Sequence, residues 1–287
     1  MRKVEMTIRR MRRLGFWLAA CGLAAMPAQV AVASVLKPET IDALDRFVKV
    51  VEARMAAEEK DGHFLFLDTL PEDQRTEAYE SVRQGEVYAT SLRKFDDGQR
   101  VKIPSGAVHH WVGVVFIPKV TIARVVEIVN DYPDQAKFYA PDVQASKLLE
   151  HNGDDYKIYL RLYSKSVVTV VYNANFDAHN SKLDESRLES RSYSTRIAEV
   201  ADPGTPEEHE YPIGNDHGYL WRLNNYWRMQ EKDGGTYVQI EVVELSRGVP
   251  FEFAWLVDSL SDSLPRKTLT RLLNSTRRAV EGTIEPK

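Results

Sequence analysis

The densest run of aromatic side chains lies between Gly218 and Met229. Side chains alternate between the two faces of a β-strand. One face of a strand here would carry Tyr219, Trp221, Leu223, Asn225, Trp227 and Met229. Tryptophan rings present a large apolar surface for stacking, and an asparagine can orient a bound molecule through hydrogen bonds. The pattern predicts the inward-facing wall of a binding cavity, and plain core packing is the alternative.

The other face of this predicted strand carries Arg222 and Arg228. A guanidinium group can hold a carboxylate or a phosphate through two parallel hydrogen bonds, so the two arginines are a possible anion clamp. The alternative is a solvated outer face, where they form ion pairs with Glu241 or Glu244 of the following strand. The sequence of the turn at residues 233–235 leaves the register open, and a slip by one residue changes every partner.

Common signatures of catalytic and metal sites are absent from the sequence. There is no Gly-x-Ser-x-Gly, no phosphate-binding glycine loop and no His-Glu-x-x-His. His109 and His110 are adjacent on a predicted strand and therefore face opposite ways. His209 and His217 flank an acidic loop whose spacing fits no zinc pattern. We therefore expect no metal and no cofactor, and we assign no catalytic residue.

The first 33 residues have the features of a secretory signal peptide. Basic residues precede an apolar run at residues 14–26, and Ala31-Val32-Ala33 has the small-x-small form of a cleavage site. The run is shorter than the roughly 20 residues that span a bilayer, which disfavours an uncleaved anchor. Residues 18–21 match a lipobox in which Cys21 would be lipidated. We expect an exported protein, periplasmic or secreted, with a lipoprotein as the alternative.

Removal of this segment leaves an acidic chain without cysteine, because Cys21 is the only one. Disulfides and thiolate chemistry are then excluded. The segment carries six basic residues and one acidic residue, so its loss changes the formal charge from −4 to −9. Nucleic-acid binding requires a basic footprint, and docking on anionic lipid requires positive charge. We expect no nucleic-acid partner, and membrane contact only transiently or through a lipid on Cys21.

Hydrophobic periodicity predicts the order of the elements. An N-terminal extension at residues 34–99 contains a helix at 38–60, a second helix ending near 84 and a candidate short strand at 86–93. From residue 100 onward the pattern predicts one strand, a short helical stretch, six further strands and a long amphipathic helix. The strands are predicted at 107–117, 143–150, 155–164, 167–177, 186–199, 218–231 and 236–247, and the final helix at 251–282 with a break at Pro265. Such long antiparallel strands must twist and coil, which favours a curved sheet.

The passage from Asn130-Asp131-Tyr132-Pro133 to Leu149 resembles the START and polyketide-cyclase-like superfamily (SRPBCC). There a helix ends near a Tyr-Pro pair, and a Pro-x-Val-x-x-Ser run, here Pro141 to Ser146, leads into the second strand. The predicted element order is also that of this family. The resemblance covers roughly residues 100–284. It implies an α+β helix-grip fold, in which a curved seven-stranded antiparallel sheet wraps a long C-terminal helix.

The resemblance also implies a deep apolar cavity between sheet and helix. Members bind sterols, lipids or polyketides, and some catalyse cyclisation or dehydration without a shared catalytic residue set. We therefore expect an exported, non-enzymatic protein that binds an apolar small molecule or lipid. The alternatives are a cyclase or dehydratase that uses cavity tyrosines and an interaction module with a filled cavity. The predicted ligand-binding residues are Trp111, Tyr156, Leu160, Tyr172, Trp221, Asn225, Trp227, Trp255 and Leu256.

Overall fold

The computed structural model describes residues 34–92, 102–165, 169–248 and 263–282. The predicted signal peptide, including Cys21, and the predicted ligand contacts Trp255 and Leu256 lie outside these residues. The helices are α1 (Pro38–Lys60), α2 (Glu72–Arg83), α3 (Ile122–Val129), α4 (Gln135–Phe138) and α5 (Ser263–Val280). Within the described ranges, no helix has the length and hydropathy that crossing a membrane requires.

Most strands are long, and all of them pair in antiparallel fashion. They are β1 (Ser34–Val35), β2 (Tyr88–Ser91), β3 (Gly106–Pro118), β4 (Val143–Asn152), β5 (Asp155–Lys165), β6 (Thr169–Lys182), β7 (Arg187–Ala201), β8 (His209–Glu210), β9 (Asn215–Asp216), β10 (Arg222–Lys232) and β11 (Gly235–Arg247). The main sheet has the order β2-β3-β11-β10-β7-β6-β5-β4, and β8 pairs with β7. Strands β1 and β9 form a separate pair.

The seven strands predicted from residue 107 onward are all present, and α5 packs on their sheet. The predicted α+β helix-grip fold is therefore confirmed. Two features extend it: β2 adds a strand beside β3, and the short β8 adds one beside β7. The predicted strand at 218–231 begins only at Arg222. The break predicted at Pro265 falls in the first turn of α5, and the preceding residues 249–262 are outside the described chain.

The turn between β10 and β11 fixes their register. Asp233 and Gly234 have φ angles of 57° and 76°, as the tight turn of a two-residue hairpin requires. Lys232 therefore pairs with Gly235, and Arg228 pairs with Gln239. This register places every second residue of β11, from Thr236 to Ser246, on the same side of the sheet as α5. We call that side the inner face and the opposite side the outer face.

Helix α5 crosses the inner face where β3 has no side chain. A Cβ on Gly113 would lie 2.7 Å from Leu273 Cδ1 and 2.9 Å from Leu269 Cδ2. The glycine lets the helix approach the backbone of β3 closely. Around this crossing the inner face forms a closed core, which contains Trp111, Val115, Ile117, Met229, Val238, Ile240, Leu269 and Leu273.

The N-terminal extension packs on the outer face. The apolar side of α1, at Leu44, Phe47, Val51 and Met55, contacts Tyr226, Val243 and Leu245 of the central strands. Further along the chain, Phe64, Leu65, Leu67 and Val82 pack on Val114, Phe116 and Tyr237. The sheet is therefore covered on both sides, and the extension supplies a second hydrophobic core.

Candidate functional site

The central strands are more deeply buried on the outer face than on part of the inner face. On the outer face, Tyr226, Arg228 and Glu241 are each 1% exposed. The inner-face residues of the same stretch are only partly buried; they are Leu223, Asn225, Trp227, Val242 and Glu244. Accessible surface at the centre of a covered sheet indicates open space above it. We call the region lined by these five residues the inner groove.

The floor beside the inner groove is made of small side chains. Ser190, Ser192 and Ser194 alternate along β7 on the inner face, and Ala178 and Ala174 follow on β6. Ser192 pairs with Asn225 on one side and with Ala178 on the other. Small side chains on a curved sheet leave room for a ligand. These serines were not predicted as site residues, although their alternation at residues 190–194 is a visible signal in the sequence.

An apolar wall continues from the floor toward the edge of the sheet. Its buried members are Tyr132, Ile158, Val170, Tyr172, Ala174, Phe176 and Ile197, and Tyr156, Leu160, Leu162, Leu220 and Leu223 pack against them. The predicted ligand contacts Tyr156, Leu160 and Tyr172 thus lie in one cluster on the inner face. The alternation of apolar residues along β5 identified this face.

The three described tryptophans of the prediction do not share one surface. Trp111 and Trp227 are both on the inner face, where Asn225 also lies. Trp221 instead packs in the outer cluster with residues of α1, and its indole nitrogen donates a hydrogen bond to Asp216 Oδ1 at 3.1 Å. The strand begins only at Arg222, so the alternation does not extend back to Trp221. The prediction that Trp221 lies on the inward-facing wall is therefore wrong.

The two candidate anion-clamp arginines lie on the outer face. Arg228 donates hydrogen bonds to the carbonyl oxygens of Phe64 and Met55, at 2.9 and 2.8 Å. Arg222 donates to the carbonyl of Trp221 at 2.8 Å. Burial lowers the pKa of both guanidinium groups. Neither arginine faces the inner groove, and Arg228 is enclosed by the N-terminal extension rather than solvated.

Ion pairs neutralise the charge that is buried on the outer face. Glu241 accepts a hydrogen bond from His110 at 2.5 Å and forms an ion pair with Arg54 of α1. Burial alone would raise the pKa of Glu241, but the partners outweigh it and hold the pKa below the usual value. Burial lowers the pKa of His110, so this ring is neutral near pH 7. Arg54 therefore supplies the counter-charge, and His110 contributes a hydrogen bond.

The inner face has its own cluster of polar side chains, at the end of the inner groove. Glu244 lies opposite Leu223 and His109, and Tyr172 pairs with Glu199 across β6 and β7. His217 hydrogen-bonds to Glu199 through Nδ1 at 2.5 Å. Asp216 accepts hydrogen bonds from the backbone of Gly218 and from Trp221. Among the residues that the structure describes, neither Glu244 nor Tyr172 has a side-chain hydrogen bond or an ion pair.

Burial controls the protonation of this polar end. It raises the pKa of Glu244 to about 7. It also raises the pKa of the Tyr172 hydroxyl far above its usual value, and the nearby carboxylates raise it further. Those carboxylates belong to Glu199, Asp216 and Glu244. The inner face thus carries a neutral hydroxyl at Tyr172 and, at Glu244, a carboxyl that is partly protonated at neutral pH.

No three potential ligands among the described His, Cys, Asp and Glu residues are placed to hold a metal ion.

No protein-family model matches the chain, and no curated protein matches it. Solved structures are similar to it at low identity. A STAR-related lipid transfer protein from Xanthomonas axonopodis is 16% identical, covers 67% of this chain and 98% of its own, and has a TM-score of 0.43.

Two further solved structures show similarity of the same order. The Zhui aromatase/cyclase from Streptomyces is 15% identical over 62% of this chain and 97% of its own, with a TM-score of 0.40. Human STARD10 is 11% identical over 75% of this chain and 83% of its own, with a TM-score of 0.41.

Proposed function

We propose that this protein binds an apolar small molecule or lipid in the inner groove. The proposal rests on the difference between the two faces of β10 and β11. Their outer face is buried, whereas apolar side chains of their inner face remain partly accessible. Covering them with a ligand yields about 25 cal/mol per Å² of apolar surface removed from water. The serine floor and the apolar wall give the inner groove the small lining and the hydrophobic sides that such a ligand requires.

Ser192→Trp tests this proposal by filling the inner groove from its floor. Native mass spectrometry and solvent extraction of protein from its own host should find an apolar molecule on the wild type and none on the variant. Binding of an added fluorescent apolar probe should be lost in the same way. Thr195→Trp is the matched control, because Thr195 is exposed on the same strand. An S192W protein that keeps its denaturation midpoint and still binds the probe would refute the proposal.

We also propose that the protein is exported and that Ser34 is its first mature residue. The basic start, the apolar run at residues 14–26 and the Ala31-Val32-Ala33 sequence support this proposal. Intact-mass measurement of the protein from its host tests it. A mass that begins at Ser34 supports cleavage after Ala33, an acylated mass that begins at Cys21 supports the lipoprotein, and a full-length mass refutes both.

The polar end of the inner groove favours a second candidate, an enzyme of the cyclase or dehydratase type. A carboxyl with a pKa of about 7 can exchange a proton at neutral pH, and the Tyr172 hydroxyl on the same face stays protonated. Product analysis with a β-hydroxy ketone tests this candidate. Dehydration that is lost in Glu244→Gln, while ligand binding is kept, would establish it. If no product forms above the uncatalysed level, this candidate is wrong and only the binding function remains.

A further inference from the structure

One buried hydroxyl on the inner face is available to a ligand. The Tyr172 side chain is 4% exposed, so it lies well inside the protein. Its hydroxyl oxygen is not completely enclosed by protein, and it has no hydrogen-bond partner in the described chain. A ligand that reaches this hydroxyl can replace water there and complete its hydrogen bond.

The surroundings of this hydroxyl are acidic. Glu199, Asp216 and Glu244 raise the pKa of Tyr172 by their charge, so all three lie within electrostatic reach of it. Hydrogen bonds from His217 and from the chain at residues 218–221 account for Glu199 and Asp216. Glu244 is the carboxyl without such a partner, and it lines the inner groove directly.

His217 pairs with Glu199 at this end of the inner groove, but no cationic group of the described chain forms an ion pair with Glu244. Both arginines of β10 lie on the outer face. Arg247 lies over the ring of Tyr219, at 5.5 Å from its centroid, at the exposed margin. His109 lies opposite Glu244 and contacts Ser246 Oγ at 3.1 Å. A negative field in an apolar, low-dielectric space attracts a cation and repels an anion strongly.

We propose that the inner groove selects apolar molecules that carry an amine, which it binds at the Glu244 carboxyl. The ammonium group donates hydrogen bonds to the Glu244 carboxylate, and the hydrocarbon part lies along the apolar wall. Ligands of the same length that end in a carboxylate or phosphate are rejected, because they would bury a second negative charge beside Glu244. This inference rests on the proposed binding function.

Three ligands with the same twelve-carbon chain test the inference on the full mature protein. Dodecylamine, dodecanol and dodecanoate are titrated at pH 7.5 against a bound fluorescent apolar probe, each below its critical micelle concentration. We expect the amine to bind at least tenfold more tightly than the alcohol, and the carboxylate to bind most weakly. Equal affinity of the amine and the carboxylate, or preference for the carboxylate, overturns the inference and leaves the proposed function standing.

Variants of the two groups give separate readouts. Glu244→Gln keeps the shape of the side chain and should weaken the amine at least tenfold, with the alcohol changed less than twofold. Tyr172→Phe removes only a hydroxyl of the apolar wall and should change the amine no more than the alcohol. Glu207→Gln, which removes an exposed carboxylate of the 202–208 loop, is the control for net charge and should change neither. If E244Q binds the amine as the wild type does, the inference is wrong.

Failure of the proposed function has a different signature. If none of the three ligands displaces the probe, and the wild type does not bind the probe itself, the binding function fails and the inference falls with it. If the alcohol and the carboxylate bind while the amine does not, the function stands and the assigned ligand class is wrong.

Discussion

Two glutamates three residues apart on β11 show how the two faces of the sheet differ. Glu241 points to the outer face and is held by Arg54 and His110. Glu244 points to the inner face and has no such partner in the described chain, so burial alone raises its pKa. Burial of a charge therefore does not by itself mark a functional group. What separates the two carboxyls is whether the described part of the chain supplies a counter-charge.

The N-terminal extension covers the outer face, and the polar contacts there hold the extension on the sheet. Helix α1 provides Arg54 to Glu241, and its Glu52 accepts hydrogen bonds from the hydroxyls of Tyr193 and Tyr226 at 2.7 and 3.0 Å. Each of these contacts joins the extension to the sheet. Within the described residues α5 covers the inner face at one end, and neither Glu244 nor Tyr172 has a side-chain hydrogen bond or an ion pair there.

The largest expected effect comes from Glu241→Gln. The change removes the charge that pairs with Arg54 inside the outer core, and breaking a buried ion pair costs about 3–5 kcal/mol of stability. We expect the lower end of this range, because Arg54 retains Glu58 at 2.6 Å. Urea unfolding at pH 7 measures the loss. The matched variant is Glu244→Gln, which should not destabilise the protein. Equal losses in the two variants would contradict the distinction between the faces.

The pH dependence of Glu244→Gln is the second test. The pKa of Glu244 rises from 4.5 to about 7 on folding, so its ionisation opposes folding. Stability from this group is complete below about pH 4.5 and is lost as the pH rises through 7, by up to about 3 kcal/mol at 1.36 kcal/mol per pKa unit. We therefore expect E244Q and wild type to be equally stable near pH 4.5, and E244Q to be the more stable at pH 8.

Other titratable groups face the same end of the inner groove, and the comparison of variant with wild type removes their contribution. They are His109 on β3, Tyr172 on β6, Glu199 on β7, and Asp216 and His217 before β10. Denaturant unfolding at pH 4.5, 6 and 8 gives the difference directly. A difference that does not grow with pH would mean that Glu244 has a partner or is solvated.

The element order was predictable because the strands are long and the helices are amphipathic. The prediction at 38–60 matches α1 residue for residue, and the strand at 107–117 differs from β3 by one residue at each end. What the sequence could not give is the face of the sheet on which α1 packs, since an apolar stripe shows only that a helix covers something. The outer core therefore came from the structure alone.

The candidate site was predictable only where side chains alternate inside a strand. Tyr156, Leu160 and Trp227 were placed on the inner face by their spacing, and the structure agrees. Trp221 was misplaced because it precedes the strand, which changes the direction of its side chain. The partners of Arg228 depended on a register that only the turn at Asp233 and Gly234 defines.

A smaller effect is expected where α5 closes the inner face. Gly113→Ala places a methyl group within 3 Å of Leu269 and Leu273, which are 4% and 0% exposed. Overpacking of a core costs about 1–3 kcal/mol. Urea unfolding should show this loss in G113A, and Leu273→Ala combined with G113A should lose less than the sum of the two single changes. Additive losses would show that the helix does not contact β3 at this glycine.

The smallest effect is expected from Glu208→Gln on the exposed part of the outer face. Glu208 holds Arg161 through two hydrogen bonds of 3.0 and 2.9 Å, which is good geometry for an ion pair. The pair lies outside the area that α1 covers, and its glutamate is 32% exposed, so water and salt screen the interaction. We therefore expect the urea midpoint of E208Q to equal that of the wild type at moderate ionic strength. The same substitution therefore has a large effect on stability at Glu241 and none at Glu208. Only at Glu241 does it remove a counter-charge that is itself buried. A loss in E208Q comparable to that in E241Q would mean that pairing alone, and not burial under α1, sets the cost.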